Sequence, residues 1–244
     1  MAVGISQGRF VRAAAPVPAT FCRRAEKYPL DDLPFLMEIA VSTALGDESG
    51  LLRALRRTAR SGISARRIRE SIFQQVAFAG VGRTINAMAL AQLSLRGGGR
   101  RATRDIGPAR VRKRGEKVCR RVYGREYPAL RAWMRRLDPD LDAWMIDAGY
   151  GRVMARPGLD LRTRELLAVA VLAAMRLWPQ LRAHLRGARR VGASAAEIRR
   201  ALAAARRRLA PADRRRMEAE VGAGRTTNRQ LPTTHKHPTP NGQP

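Results

Sequence analysis

Apolar residues recur at three- and four-residue spacing along most of the chain, and this pattern predicts a protein made almost entirely of helices. Segments with the two-residue alternation of a strand are rare. We therefore predict an all-α fold. The clearest helical segments are 33–45, 50–60, 65–79, 84–95, 164–175 and 179–190.

Composition divides the chain into two predicted units joined by a linker. Residues 96–113 are rich in Arg and Gly and show no apolar face, which is typical of a linker. The first unit is predicted at 28–95 and the second at 114–221. Residues 1–27 are predicted to form a flexible N-terminus, and the polar, Pro-rich residues 222–244 a disordered tail.

The two predicted units share a pattern that suggests duplication of a helical hairpin. Residues 62–64 read Gly-Ile-Ser and residues 192–194 read Gly-Ala-Ser. In each, the glycine can end one helix in the left-handed conformation and the serine can cap the next helix. A similar five-residue stretch follows each serine. Common capping chemistry alone also explains part of this match, so both interpretations stay open.

The chain carries a large positive charge: 48 Lys and Arg against 20 Asp and Glu give a formal net charge of +28. The basic residues are nearly all Arg and are spread along most of the chain. Two causes can explain this excess of Arg: selection for polyanion binding, or compositional drift toward Arg at surface positions that tolerate any charge. The size of the charge predicts nonspecific binding to polyanions. No zinc finger, aromatic stacking motif or glycine-rich phosphate loop indicates specific nucleic-acid recognition.

Cysteine usage and apolar runs narrow the class of protein further. Cys22 and Cys119 are too few and too far apart for a disulfide framework, a cysteine zinc site or a C-x-x-C redox pair. His235 and His237 lack a third ligand, so we predict no metal site. The longest clean apolar run, 166–175, is too short to span a bilayer, and the N-terminus does not fit a secretory signal. We therefore predict a cytoplasmic protein without a membrane segment.

The strongest chemical signal lies between positions 142 and 192. Asp160 can cap a helix that carries Glu165, and the following helix carries Gln180 and His184 on one face. In a helical hairpin the Glu165 carboxylate can reach the His184 imidazole. A carboxylate and an imidazole that share a proton are the smallest set of groups that general acid–base catalysis needs near neutral pH. The alternative is a buried polar pair that only stabilises the core.

Three motifs resemble those of the carboxymuconolactone decarboxylase family, which includes the alkylhydroperoxidase-D-type proteins. Residues 150–166 read Tyr-Gly-x-Val-x-x-Arg-Pro-Gly-Leu-Asp-x-Arg-Thr-Arg-Glu-Leu, and residues 180–192 read Gln-Leu-x-x-His-x-x-x-Ala-x-x-x-Gly. In the first predicted unit, residues 70–80 match a Glu-x-x-x-Gln-x-x-x-aromatic-Ala-Gly motif. The resemblance covers most of residues 30–200, arranged as two units. It implies duplicated all-helical units that assemble into homo-oligomers, trimers or hexamers, with sites near subunit contacts.

The resemblance favours a decarboxylase over a thiol peroxidase. Leu177 and Gln180 occupy the positions of the C-x-x-C pair of the peroxidase branch, so the thiolate that reduces peroxide is missing. The decarboxylase branch, as the resemblance implies, removes carbon dioxide from a carboxylated unsaturated lactone during aromatic-compound degradation. It needs no metal or organic cofactor. His184 is then the expected acid/base and Glu165 its orienting or proton-sharing partner.

Further residues are expected to bind the small anionic substrate. Arg156 and Arg164 are candidates because guanidinium holds a carboxylate in a two-pronged fashion, although both residues also fit surface positions or structural salt bridges. The first unit lacks an equivalent histidine, and the second lacks the motif of residues 70–80. Each unit is therefore expected to supply what the other lacks, with Phe78 near the site; the alternative is that the Arg-rich end of the second unit is a degraded or frame-disturbed extension. The expected substrate-binding residues are Arg156, Arg164, Gln180, Glu70 and Gln74.

The alternative hypothesis is a noncatalytic scaffold of the same fold. Its Arg-rich surface would bind an acidic protein or nucleic acid. A catalyst is expected to lose turnover in His184→Ala while keeping its melting temperature, whereas a scaffold is expected to change only in stability.

Overall fold

The computed structural model describes residues 32–58, 61–95 and 106–226, and every regular element within these ranges is a helix. The predicted all-α class is confirmed. No helix in this part of the chain is both long enough and apolar enough to cross a membrane. The α-helices are α1 (Leu33–Leu45), α2 (Glu48–Thr58), α3 (Ala65–Phe73), α4 (Val76–Ala79), α5 (Val81–Ser94), α6 (Pro108–Tyr123), α7 (Tyr127–Leu137), α8 (Pro139–Trp144), α9 (Leu161–Ala174), α10 (Trp178–Arg190), α11 (Ala195–Arg206) and α12 (Pro211–Thr226), with a 3₁₀ turn at Gly124–Glu126 and a π-helix at Met145–Met154.

Helix α9 lies at the centre of the fold. Every residue from Thr163 to Ala174 is buried. The helix packs against α1, α10 and α11, and α1 packs in turn against α2, α3 and α5. Residues 166–174 carry no charge, and a helix that is apolar on all sides is stable only between other helices. As a result, one hydrophobic cluster contains residues of both predicted units.

Capping side chains define the helix ends that the sequence predicts. The Asp160 carboxylate accepts a hydrogen bond from the backbone N–H of Thr163 at 2.9 Å and so caps α9. Ser64 and Ser194 cap α3 and α11 in the same way, from the backbone N–H three residues later. The glycine two residues before each serine has a positive φ, 73° and 94° respectively. The two hairpins thus share their capping geometry, and their duplication stays a prediction.

The segment predicted as a single helix at 65–79 is two helices, α3 and α4, with a turn at Gln74 and Gln75. Both glutamine side chains are buried, and a buried amide needs hydrogen-bond partners. Gln75 donates to the carbonyl oxygen of Ser71 at 2.7 Å, whereas Gln74 donates to that of Arg164 at 2.8 Å. The turn therefore places Gln74 in contact with α9. The spacing of apolar residues in 65–79 gives no sign of this contact.

The prediction of a linker over 96–113 is wrong at its C-terminal end. Helix α6 begins at Pro108, because a proline in the first helical turn lacks only an N–H that would have no helical partner. An apolar face then repeats at four-residue spacing from the buried Val111 to the buried Cys119. Charged residues, mostly Arg and Lys, at the intervening positions hide this face in the composition. Residues 96–105 lie outside the described residues.

The predicted disordered tail also begins too early, because α12 continues to Thr226. The helix packs against α10 through its buried residues Met217 and Glu220. The Glu220 carboxylate forms an ion pair with Arg182 of α10. Outside the described residues lie the predicted flexible N-terminus, 1–27, and residues 227–244.

The π-helix lies very close to α6. An added Cβ at Gly115 would overlap the carbonyl oxygen of Ile146, and an added Cβ at Gly151 would overlap that of Val111. Glycine at both positions lets the two backbones touch. A π-helix is wider than an α-helix and often occurs at functional sites. Here the π-helix contributes to a second hydrophobic cluster, which includes Cys119, Tyr123, Tyr127 and Tyr150.

Candidate functional site

Glu165 of α9 and His184 of α10 form a buried pair. The Nδ1 atom of His184 lies 2.9 Å from the Oε2 atom of Glu165, and the two side chains are 9% and 0% exposed. This contact occupies Nδ1, whichever of the two groups holds the shared proton. The Nε2 atom of the ring is then the one left for a ligand. The hairpin of α9 and α10 thus brings together the two residues that the sequence proposes as the centre of the site.

The contact with His184 uses one of the two oxygens of the Glu165 carboxylate. The other, Oε1, is buried and has no hydrogen-bond partner among the described residues. Leaving a buried acceptor unpaired costs about 1–3 kcal/mol of folding free energy. Four other buried side-chain atoms of the described residues share this state, among them Oε1 of Gln75 and Nε of Arg164. Oε1 of Glu165 differs from these four in lying on the carboxylate that contacts His184, where a proton or a group of a bound molecule can pair with it.

Gly187 provides the space for the Glu165 carboxylate. An added Cβ at position 187 would lie 2.7 Å from Oε2 of Glu165 and 2.6 Å from Cγ1 of Val122. Both distances are shorter than real Cβ contacts, and Gly187 is buried within α10. The spacing of the motifs does not single out Gly187. A glycine inside a helix, where it costs about 1 kcal/mol relative to alanine, was the available signal.

We expect Gly187→Ala to displace the Glu165 carboxylate. Overpacking of this kind costs typically about 1–3 kcal/mol, and the displacement also breaks the contact with His184. Urea unfolding and the rate of carbon dioxide release are the two measurements. Gly149→Ala is the matched control, because an added Cβ at Gly149 meets no atom within 4 Å. A Gly187→Ala protein that matches the parent in both measurements would show that the carboxylate does not need this space.

Two aromatic rings from different helices contact the imidazole, and a third packs behind one of them. The ring of Phe78 lies 5.9 Å from the ring of His184 and that of Tyr123 lies 6.5 Å from it, both edge to face. Tyr150 of the π-helix packs against Tyr123 at 6.3 Å. Burial raises the pKa of both tyrosine hydroxyls well above the usual range, and the nearby Glu165 adds to the increase. Both hydroxyls therefore stay neutral and able to donate hydrogen bonds.

The buried thiol of Cys119 lies in the same region but is not reactive. It is a free cysteine, and burial raises its pKa to about 12. Only the thiolate is a nucleophile, so this thiol does not attack a peroxide near neutral pH. Leu177 and Gln180, at the positions of the family's C-x-x-C pair, are both exposed. Cys22 lies outside the described residues.

The two candidate carboxylate-binding arginines are already paired with a carboxylate of the protein. Glu70 of α3 accepts hydrogen bonds from Nη2 of Arg156 and from Nη2 of Arg164, each at 2.8 Å. The Arg164 side chain is 0% exposed. The Arg164 guanidinium is thus enclosed and forms the structural salt bridge that the sequence leaves open for it, with a carboxylate that Arg156 shares; substrate binding by Arg164 stays a prediction. Arg156 makes the same ion pair at the partly exposed edge of the cluster.

Glu70 and Gln74 hold the segment that precedes Glu165. The Gln74 amide donates to the backbone carbonyl of Arg164 at 2.8 Å and accepts a longer hydrogen bond, 3.3 Å, from its guanidinium. Because Arg164 is the neighbour of Glu165 in the chain, these contacts fix the start of α9. Both residues were predicted to bind substrate, which stays a prediction, and in the structure their polar groups bind Arg156 and Arg164. The first predicted unit therefore contributes to the site through Phe78 and through this support. Gln180, by contrast, is exposed on the first turn of α10.

Candidate metal ligands do not converge in residues 32–58, 61–95 and 106–226, where no group of three His, Cys, Asp or Glu side chains could hold an ion. His235 and His237 lie outside these ranges.

Comparison with known proteins identifies relatives of this chain. A profile of the carboxymuconolactone decarboxylase family matches residues 139–214, which include Glu165 and His184. The chain is also 35% identical over 103 residues to the nitrosuccinic acid decarboxylase of Metarhizium robertsii. That alignment covers 41% of this chain and 71% of the fungal protein.

Proposed function

The chain belongs to the carboxymuconolactone decarboxylase family, and from this premise we propose that it removes carbon dioxide from a small carboxylic acid by acid–base chemistry. The similarity to a decarboxylase supports a carboxy-lyase kind of activity. The observation that carries the proposal is the buried pair of Glu165 and His184 with its one unpaired carboxylate oxygen. This pair supplies a proton donor without a metal or an organic cofactor.

The substrate class follows from the chemistry of decarboxylation. The electron pair of the broken carbon–carbon bond needs an acceptor, which an unsaturated lactone or an adjacent nitro group provides. Nitrosuccinic acid, the compound named for the fungal relative, carries such a nitro group. We therefore propose a small acid whose departing carboxylate lies next to an electron-withdrawing group. A carboxylated lactone of aromatic-compound degradation is one member of this class.

The reaction divides into two balanced steps. The bond between the carboxylate and its carbon breaks, carbon dioxide leaves, and the electron pair moves into the acceptor group. The imidazolium of His184 then gives a proton from Nε2 to the carbon that carried the carboxylate. Glu165 stabilises the imidazolium through Nδ1, and solvent returns the proton to the ring. A positioned acid of this kind contributes roughly 10²–10⁴-fold to a rate.

Tyr123 is the proposed hydrogen-bond donor to the acceptor group. Its hydroxyl stays neutral because burial raises its pKa, and its ring contacts that of His184. A neutral donor held in place by the fold stabilises an oxygen that gains negative charge during the reaction. With Arg156 and Arg164 paired to Glu70, this neutral donor is the group we assign to that oxygen.

Carbon dioxide release by the purified, nucleic-acid-free protein tests the proposal. We expect turnover of 4-carboxymuconolactone or of nitrosuccinic acid. Turnover of the lactone would support a role in aromatic-compound degradation, whereas turnover of nitrosuccinic acid alone would direct the search to nitro acids. A folded, helical protein that releases carbon dioxide from neither compound would favour the noncatalytic scaffold.

A further inference from the structure

Tyr123 contacts both His184 and Tyr150 of the π-helix. Its ring centre lies 6.5 Å from that of His184 and 6.3 Å from that of Tyr150, edge to face in both contacts. The two tyrosine side chains are buried, and a side-chain hydrogen bond joins their hydroxyls. Tyr150 is thus connected to the imidazole through Tyr123.

The hydrogen bond between the two hydroxyls has a direction. Burial raises the pKa of the Tyr123 hydroxyl, and the bond to Tyr150 acts against that increase. Burial also raises the pKa of the Tyr150 hydroxyl, and there the same bond adds to the increase. An oxygen that accepts a hydrogen bond loses its own proton more easily, whereas the donor loses its proton less easily. Tyr150 is therefore the donor, and the one proton of Tyr123 is left for another acceptor.

The Glu165 carboxylate is not that acceptor in the structure. Its Oε2 atom contacts Nδ1 of His184, and its Oε1 atom has no hydrogen-bond partner among the described residues. Glu165 is nevertheless close enough to contribute to the raised pKa of Tyr123, as is the thiol of Cys119, which is a weak acceptor. The Tyr123 proton therefore remains available to an oxygen of a molecule bound beside His184.

The π-helix fixes the position of Tyr150. The backbone carbonyl of Tyr150 accepts a hydrogen bond from the N–H of Ala155, five residues later, at 2.9 Å. In an α-helix this bond would come from the residue four positions later, and the side chain would point in another direction. The next residue, Gly151, lies against the backbone of Val111 in α6, the helix that carries Tyr123. The two tyrosines thus belong to elements whose backbones touch, which holds their hydroxyls together.

We propose that Tyr150 is a positioning residue, which holds the Tyr123 oxygen so that the Tyr123 proton points at the acceptor group of the substrate. This inference rests on the proposed function, in which Tyr123 donates to an oxygen that gains negative charge. A donor that is already oriented needs no reorganisation when the charge develops. A hydroxyl that accepts a hydrogen bond is also the stronger donor, because successive hydrogen bonds polarise one another. Tyr150 thus acts through Tyr123 and does not itself touch the substrate.

The test compares carbon dioxide release by the full chain with that by Tyr150→Phe, Tyr123→Phe and the double variant. We expect Tyr150→Phe to lower kcat by about tenfold with little change in KM, because one hydrogen bond is lost and the ring is kept. Tyr123→Phe is expected to lower kcat by roughly 10²-fold or more, as loss of an oriented donor does. The double variant is expected to match Tyr123→Phe, because Tyr150 has nothing left to orient. A merely structural role would lower the rate in both backgrounds.

Tyr127→Phe is the matched control, because Tyr127 is buried in the same hydrophobic cluster and its hydroxyl accepts a hydrogen bond from Arg131 at 2.7 Å. This change is expected to lower the melting temperature and to leave kcat unchanged. Circular dichroism verifies that all variants are folded.

Two results would overturn the inference while the proposed function stands. The first is a Tyr150→Phe protein with the parent kcat. The second is an equal loss from Tyr150→Phe in the parent and in Tyr123→Phe. A parent protein that releases no carbon dioxide would refute the positioning role together with the proposed function.

Discussion

Replacing His184 by asparagine is expected to lower the kcat of carbon dioxide release by roughly 10²–10⁴-fold, the usual contribution of a positioned general acid. The asparagine side-chain amide can donate to Glu165 as Nδ1 does, but it cannot deliver a proton to carbon. The melting temperature is therefore expected to stay close to that of the parent. His184→Ala is less informative, because it leaves the fully buried Glu165 carboxylate without its partner and so also lowers stability.

The control for this prediction is Gln180→Ala. Gln180 lies one turn before His184 on the same helix and is exposed, so its replacement is expected to leave both kcat and the melting temperature unchanged. If His184→Asn retains the parent rate, the imidazole is not the proton donor. If it loses stability but not rate, the pair of Glu165 and His184 is a structural contact, as the scaffold hypothesis requires.

Replacing Glu70 by alanine is expected to reduce the free energy of unfolding by about 3–5 kcal/mol, the cost of breaking a buried ion pair from one side. The change leaves the 0% exposed guanidinium of Arg164 without its carboxylate. Urea unfolding measures the loss. The matched control is Glu38→Ala, which removes the carboxylate of an exposed ion pair with Arg57 at 2.8 Å. Exposed pairs contribute about 0–1 kcal/mol, so a loss at Glu70 no larger than that at Glu38 would contradict the prediction.

The contribution of Glu70 is also expected to depend on pH. Burial by itself raises the pKa of this carboxyl, but hydrogen bonds from Arg156 and Arg164 outweigh burial and hold the pKa below its ordinary value of 4.5. The ionised form is therefore favoured in the folded state, and its stabilisation is lost as the pH falls through the folded pKa. The melting-temperature difference between the parent and Glu70→Gln should be largest near neutral pH and should shrink below about pH 4.5. A difference that grows on acidification would show that the neutral form is the favoured one.

Local sequence by itself determined the all-α class, the caps at Asp160 and Ser194, and the hairpin that joins Glu165 to His184. Helical periodicity and capping depend on residues three or four positions apart, so they can be recognised in the chain directly. The pairing of Glu165 with His184 needs only two successive helices and a short turn. Local spacing did not predict the start of α6, because charged residues hide its apolar face. It also did not predict the turn at Gln74, because that turn depends on a contact with α9.

Only the tertiary structure determines which charged side chains are free to bind a substrate. Arg164 looks the same in the sequence as an arginine free to bind substrate, but in the fold it is fully buried and pairs with Glu70, 94 residues away. The space that Gly187 leaves for Glu165 and the aromatic rings around His184 likewise depend on which helices pack together. Burial and charge pairing are properties of the packed core, and they arise from contacts between segments that are distant in the chain. For this reason spacing and composition identify the reactive pair but do not determine what surrounds it.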